Sequence, residues 1–451
     1  MADSVLILGG GLAGVACAHK LGDEGVDVTL VDRNNYHQFQ PLLYQVASSQ
    51  LPAEDIARPH RTIFKDYPTV TIVTANVAAA NLAERSLVLS DGRTLTGSYL
   101  VMAAGARPNF FGVPGAEEYA FPLYSVADAE RLRRHLQQLL EDAISAEGSA
   151  EGQREPGMLD VVVVGGGPTG VETTGALAEL MHALSSTGRL AEPGQITIVD
   201  RGSALLAPFS KKAHGYSLKK LTEAGAVVKL KAGVAAIHPD HVEFSDGSTV
   251  PARTVVWGGG ESGSAIAQNT GPVPGRGGRL DVLPDLRVEG FPGVYAVGDV
   301  ANIPSDDESG PALPQLGSVA QQSGRWAAEN ILRERRGEPT KPFVYKDKGI
   351  MAMIGRNAAV AEVGKHHHQV EGPVAFAAWL GVHAMLLSGA HSKTDAFLSW
   401  AWDYFDRDHA ATVEASSMPH RIAWSEDEQD VPHISLEKPV PTVTTTTTAT
   451  A

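Results

Sequence analysis

Val161-Val-Val-Val-Gly-Gly-Gly-Pro-Thr-Gly-Val-Glu172 is the stretch that decides how this chain is read. Four β-branched residues predict a short buried strand. A glycine turn follows, and a helix is expected from about Thr169. Gly165, Gly167 and Gly170 fit the G-x-G-x-x-G spacing. The first glycine permits a tight turn, the second lets a pyrophosphate approach the backbone, and the third lets helix and strand pack closely. A phosphate would then meet unpaired N–H groups at the positive end of a helix. One such motif is weak evidence, but a second lies at Val5-Leu-Ile-Leu-Gly-Gly-Gly-Leu-Ala-Gly14, with Gly9, Gly11 and Gly14 in the same register. Each is followed by an apolar strand ending in an acid, Asp32 after Val28–Val31 and Asp200 after Ile196–Val199. Two fingerprints imply two dinucleotides, of which the usual pair is a flavin and a nicotinamide.

A chain of 451 residues has room for two or three domains. Its net charge of −15 argues against nucleic acid and gives no general attraction to anionic lipid. The single cysteine, Cys17, excludes an internal disulfide and hence dithiol redox chemistry. It falls one turn into the first nucleotide-binding helix, where a small buried residue is expected. Met1-Ala-Asp-Ser leads straight into a strand without a signal-peptide pattern, so a cytoplasmic location is expected.

Asp32 is positioned to accept a hydrogen bond from an adenosine ribose, and Arg33 either covers the adenine or is solvated. The stretch from Asn34 to Ala47, rich in aromatics and amides, has neither helical nor strand period and reads equally as a core plug or a cofactor lining. Strands are expected at Val70–Val73, Ser86–Ser90 and Leu100–Gly105, the last ending in small residues that admit a ligand at Gly105. An amphipathic helix is expected over residues 128–150. Asp200 favours NADH, since a 2′-phosphate would be repelled, although Arg201 beside it is of a kind that can hold that phosphate. Thr254–Trp257 precedes a second close-approach turn ending at Gly260. Tyr295-Ala-Val-Gly-Asp299 is a strand ending in an acid that suits either a flavin ribityl hydroxyl or a helix cap. A helix is expected over residues 315–336, and strands at Gly349–Gly355 and Ala358–Val363. Two apolar stretches follow, 374–387 and 396–405, too short and too interrupted for spanning helices. The tail from Met418 is acidic and then threonine-rich, and is expected to be disordered. His366-His-His368 lacks an evident carboxylate or cysteine companion, so no metal site is expected.

As a set, these motifs resemble the two-dinucleotide flavoproteins, and within them the type II NADH dehydrogenases, which pass electrons from NADH to quinone without pumping protons. The resemblance covers about residues 3–410. Its diagnostic parts are His37-Gln-Phe-Gln-Pro-Leu-Leu-Tyr-Gln-Val-Ala47 and Lys348-Gly-Ile-Met-Ala-Met-Ile-Gly-Arg356. It implies that Gly9, Gly10, Gly11, Leu12, Ala13 and Gly14 hold FAD, with Asp32 on the ribose, Val77 near the flavin, Asp299 on the ribityl chain and Gly317-Ser318 beside the isoalloxazine. It assigns Gly165, Gly167, Gly170, Asp200 and Gly260 to NADH. It places Glu172 between nicotinamide and flavin as the catalytic acid, whose alternative reading is an acid in a first helical turn, favoured by the dipole.

Two departures stand out. The family carries Ala-Gln where this chain has Gly317-Ser318, so Gln315, Gln321 and Gln322 become the candidates to approach the quinone. The family also ends in amphipathic membrane-binding helices, and this acidic tail shows none.

The expected fold is α/β: two Rossmann-like dinucleotide-binding domains plus a C-terminal α+β region. Residues 1–115 and 285–340 would form a discontinuous FAD domain and residues 116–284 an NADH domain. Residues 341–417 would form a quinone-site, membrane-facing or interface region, and 418–451 a disordered acidic and threonine-rich tail. The expected activity is hydride transfer from NADH to FAD and two-electron transfer to a quinone. The expected partners are the quinone and a peripheral contact with the inner face of the cell membrane, with a homodimer left open. Two alternatives remain: a flavoprotein reductase with another acceptor, and a slow-turnover redox-sensing flavoprotein. A disulfide reductase or a sulfide:quinone oxidoreductase would each need paired cysteines.

Overall fold

The computed structural model describes residues 4–147, 154–188, 190–271, 274–305, 310–364, 367–386 and 400. In chain order the elements that matter below begin with β1 (Val5–Leu8), α1 (Leu12–Asp23), β2 (Val28–Asp32), α2 (Leu43–Ala47), β3 (Val70–Thr74) and β4 (Tyr99–Met102). There follow β5 (Ala120–Pro122), α3 (Val126–Glu147), β6 (Val161–Val164), α4 (Pro168–Ser186), β7 (Ile196–Asp200), β8 (Val227–Leu230), β9 (Thr254–Trp257) and β10 (Val294–Ala296). The last are α5 (Gly317–Arg335), β11 (Gly349–Gly355), β12 (Ala358–Val363), β13 (His368–Glu371) and α6 (Pro373–Leu386).

β1 and β6 are buried at every position, as expected of strands covered on both faces. Each is the centre of a five-stranded sheet, in the order β10-β4-β1-β2-β3 for the first and β5-β9-β6-β7-β8 for the second. Both sheets are parallel throughout. Parallel neighbours need a crossover, and α1 and α4 supply it between the central strand and its following partner. In each copy a three-stranded antiparallel sheet is inserted before the strand on the other side of the centre. The chain has thus built one architecture twice, entering the second copy at β5 and returning to the first at β10. The expectation of an α/β fold with two Rossmann-like units is borne out.

α3 starts two residues earlier than expected, because Ser125 and Asp128 form a capping box. Ser125 Oγ accepts from Asp128 N (3.1 Å), while Asp128 Oδ2 accepts from Ser125 N (3.0 Å). The stretch from Asn34 to Ala47 is not shapeless. It contains a three-residue strand, Tyr36–Gln38, and α2, and Phe39 and Leu42–Ala47 are buried in a core shared with α3, α4, β11, β12 and α6. β11, β12 and β13 form an antiparallel meander, which lies so close to α4 that a Cβ on Gly175 would collide with Ile354 O. The stretch 396–405, apart from Trp400, and the tail from Met418 lie outside the described residues. Among the described residues no helix is long and apolar enough to cross a membrane.

α1 and α5 cross backbone against backbone. A Cβ on Gly324 would overlap Ala13 O, so the helices approach here only because side chains are absent. Overpacking of this kind costs about 1–3 kcal/mol. We expect Gly324→Ala to lose that much stability in urea unfolding, and to weaken FAD retention because α1 carries the first glycine turn. Unchanged unfolding and unchanged retention would show that the crossing has room to spare.

Candidate functional site

The glycine turn after β1 has two kinds of glycine. Gly9 holds φ 106°, and a Cβ there would strike Ala103 O at the end of β4. A Cβ on Gly14 would strike Gly9 O, so α1 is pressed onto the turn itself. Gly11 is the opposite case: a Cβ would meet nothing within 4 Å, and Gly105 (φ 69°) is equally open. Gly11 also caps α1 without a side-chain hydrogen bond, with Leu12 and Ala13 as the first helical residues. The first-turn N–H groups therefore face open space, which suits a pyrophosphate.

The turn after β6 repeats this arrangement. Gly165 holds φ 109° and a Cβ would strike Gly258 O, a Cβ on Gly170 would strike Gly165 O, and Gly167 is open. The two acids take matching places. Asp32 accepts from Gly10 N (2.5 Å) and Asn34 N (2.7 Å), and Asp200 from Gly166 N (2.6 Å) and Gly202 N (2.5 Å). Each carboxylate braces its glycine turn and keeps lone pairs for a ribose hydroxyl. Two buried histidines stand behind the first turn, His37 from the diagnostic stretch and His60, which the sequence did not single out; His37 Nδ1 and His60 Nε2 each lie 3.0 Å from Gly10 O. Arg33 is exposed and Val77 is half-buried against the first core. Cys17 is buried and its thiol is pushed up to about 12 by desolvation, which leaves it unreactive.

Asp299 sits in a turn after Gly298 (φ 68°), whose α-carbon packs against Ala13. It caps no helix. Desolvation pushes its carboxyl up to about 6 against the pull of the Arg279 guanidinium. Nearby, Glu261 is pushed up to about 7, first by desolvation and then by the charge of Asp299. Gln315 Nε2 donates to Asp299 O (3.0 Å). Gln322 is bonded at both ends to the Lys346 backbone (3.1 and 3.0 Å), whereas Gln321 is half-buried and makes no side-chain hydrogen bond among the described residues. Gly317 starts α5 with its α-carbon near Leu12, and Ser318 Oγ lies 2.8 Å from Tyr345 Oη.

Glu172 differs from expectation in one respect. α4 begins at Pro168, so Glu172 is its fifth residue, in the second turn, where the helix dipole has faded. It is buried and accepts from Met353 N through Oε1 (3.0 Å). Desolvation pushes its carboxyl up to about 8. The Met353 N–H and the Trp379 indole pull the other way, although the indole N–H lies outside hydrogen-bond geometry. Trp379 comes from α6 and stacks on His383 at 3.9 Å, with Tyr44 edge-on at 6.4 Å. His383 Nδ1 lies 2.8 Å from Trp379 O, and burial pushes its imidazole down to about 4, so it stays neutral. Trp400 Nε1 donates to Gln45 Oε1 (2.9 Å), and Gln45 Nε2 to Tyr44 Oη (3.2 Å). A protonatable carboxyl thus stands in an aromatic box built by α2, α4, β11 and α6.

The histidine run needs correction. His367 lies 3.5 Å from Asp347 and 3.6 Å from Glu362, so carboxylates do accompany it. His366 lies outside the described residues. Among the described residues no group of three ligating side chains that could hold a metal is present.

The profile of the pyridine nucleotide-disulphide oxidoreductase family matches residues 3–324. The chain is 33% identical over 413 residues to the type II NADH:quinone oxidoreductase Ndh of Mycobacterium tuberculosis, covering 88% of this chain and 87% of that protein. It is 30% identical to the type II NADH:quinone oxidoreductase of Staphylococcus saprophyticus, covering 80% and 89%. Its fold is similar to that of NDH2 from Plasmodium falciparum solved in complex with NADH, with a TM-score of 0.81 and 20% identity over 91% of this chain and all of that one. The doubled nucleotide-binding architecture and these relatives agree: the chain belongs to the pyridine nucleotide-disulphide oxidoreductase family and, within it, to the type II NADH:quinone oxidoreductases.

Proposed function

We infer that this chain, a FAD-dependent NADH:quinone oxidoreductase, takes FAD at Gly9–Gly14 and NADH at Gly165–Gly170. The observation that carries the assignment is the open space at Gly11 and Gly167, each flanked by glycines that no larger residue could replace. Bound FAD supplies the redox chemistry, accepting hydride from NADH and yielding two electrons to quinone. The protein's part is to bind, orient and move protons. The N–H groups of α1 and α4 would hold the two pyrophosphates, Asp32 and Asp200 would accept hydrogen bonds from ribose hydroxyls, and Asp299 would accept one from the ribityl chain. We read residues 1–115 with 285–340, 116–284 and 341–417 as the corresponding FAD, NADH and quinone-side regions.

Glu172 is the proton-exchanging residue. Its Oε1 is held by Met353 N (3.0 Å), which leaves Oε2 as the proton carrier, and a carboxyl near 8 is mostly protonated at neutral pH. We assign the quinone ring to the side of Glu172 that carries Tyr44, Trp379 and His383, with Gln321 and Ser318, on α5, as the amide and hydroxyl candidates for its head group. Membrane contact falls to α6, which exposes Val374 (70%), Val382 (40%) and Met385 (76%). With a net charge of −15 that contact has to be apolar rather than electrostatic.

Three outcomes are expected. Glu172→Gln should lower quinone-linked kcat about tenfold or more while FAD content is kept. Stopped-flow reduction and reoxidation, measured separately, locate the loss, and unchanged rates and pH profiles would remove Glu172 from the mechanism. The same variant should flatten stability against pH. The folded-state value of about 8 lies above the ordinary 4.5, so the folded chain keeps a proton that the unfolded chain has released. Stability therefore falls as pH rises from about 4.5 to about 8, and urea unfolding across that window should show a shallower slope in Glu172→Gln. Finally, Val382→Glu with Met385→Glu should abolish co-flotation with phosphatidylcholine vesicles and leave oxidation of NADH by a water-soluble quinone intact. Flotation that survives both charges would exclude α6 as the contact.

A further inference from the structure

Phe111 lies at the mouth of the second nucleotide cleft. Its loop is tied down at Asn109, where Asn109 N donates to Gly260 O (3.0 Å) and Trp257 Nε1 to Asn109 O (2.9 Å). Phe111 N in turn donates to Asn109 Oδ1 (2.9 Å). These bonds hold Phe111 at φ 51°, a left-handed conformation that a bulky residue keeps only where its surroundings impose it. The ring, 51% exposed, rests on Gly260, where a Cβ would stand 2.9 Å from Phe111 Cζ. Gly260 belongs to the turn that abuts Gly165, so the ring lies beside the phosphate-binding backbone.

Across the ring stands Arg201. Its guanidinium carbon is 5.1 Å from the Phe111 centroid, and its stem runs along Gly233, where a Cβ would lie 3.7 Å from Arg201 Cγ. Arg201 directly follows Asp200, the acid at the ribose end of the cleft. Asp200 has both oxygens engaged by Gly166 N and Gly202 N and does not pair with it. Arg201 makes no ion pair among the described residues. An arginine at this place is chemically suited to a 2′-phosphate, through short charge-assisted hydrogen bonds.

We propose that Phe111 is a specificity-determining residue: by stacking on Arg201 it withdraws the guanidinium from the 2′ position and so favours NADH over NADPH. The proposal rests on reading Gly165–Gly170 as the NADH site. It resolves the opposed signals of Asp200 and Arg201, because the acid faces the ribose while the base is turned onto an aromatic face. A cation over an exposed ring is worth roughly two- to fivefold in equilibrium, which sets the size of the effect.

The test uses the FAD-loaded protein and two readouts. One is kcat/KM for NADH and NADPH with a soluble quinone, and the other is equilibrium titration with NAD+ and NADP+. Phe111→Ala should raise the NADPH-to-NADH ratio in both readouts by about fivefold, Phe111→Trp should keep the original ratio, and Arg201→Ala added to Phe111→Ala should erase the gain. Arg201→Ala alone should change the ratio less than twofold. An unchanged ratio in Phe111→Ala, or an equal loss for both nucleotides, would overturn the proposal. So would a fivefold loss of NADPH use in Arg201→Ala alone, and this arm decides the matter even where Phe111→Ala does not fold. Gly167→Val separates the underlying reading: it should weaken both nucleotides together, and if NADH still binds normally the cleft itself is misassigned.

Discussion

The structure depends on backbone pressed against backbone at two glycine turns. On α1 the α-carbon of Gly14 lies against Gly9 O, and on α4 that of Gly170 lies against Gly165 O. No Cβ fits at either contact, so each helix can seat its N-terminus directly over the end of its strand. The unpaired N–H groups at the start of each helix are then presented beside its turn. Asp32 and Asp200 hold the turns from the neighbouring strands. The same contact reappears where α1 meets α5 at Gly324 and where α4 meets β11 at Gly175. Close approach at these points brings Asp299 and the start of α5 toward the first turn, and Met353 and Trp379 toward Glu172.

Electrostatics at Glu172 illustrates which of two effects wins. A carboxylate in the first turn of a helix is stabilised by the dipole, by about 0.3–1 kcal/mol at an exposed site. Desolvation in an aromatic enclosure moves a carboxyl by several pKa units. The residue stands in the second turn and is buried, so desolvation prevails and the carboxyl rises to about 8 despite the Met353 N–H. Asp299 and Glu261 follow the same logic, and there Arg279 moderates the rise. His383 is driven the opposite way and stays neutral, so the box around Glu172 carries no competing positive charge.

The start of α5 presents short polar groups rather than a long amide, with Gly317 and Ser318 as its first two residues. Ser318 Oγ meets Tyr345 Oη from the strap that follows α5, while Gln322 is committed to the backbone of that strap. A hydroxyl pair therefore stands at the start of α5, and Gln321 retains a side chain without a bonded partner among the described residues.

By itself the sequence determined the features that obey local rules. Apolar β-branched runs specify buried strands, G-x-G-x-x-G specifies a turn into a helix, and an acid is expected at the next strand end, although its bonds to the turn appear only in the structure. Hence the α/β class and the pair of Rossmann-like units were legible, as were the two turns and the positions of Asp32 and Asp200. What only the tertiary structure decided are contacts between residues far apart in the chain. His60 reaches Gly10 O across 50 positions and Trp400 reaches Gln45 across 355. Trp379 of α6 closes the box on Glu172, Phe111 turns Arg201 aside, and the aperiodic stretch from Asn34 to Ala47 is drawn into the core by helices it does not adjoin. Spacing rules describe one helix face or one strand at a time. They carry no information about which faces meet, because that is set by how the sheets stack and where close backbone contact is sterically allowed.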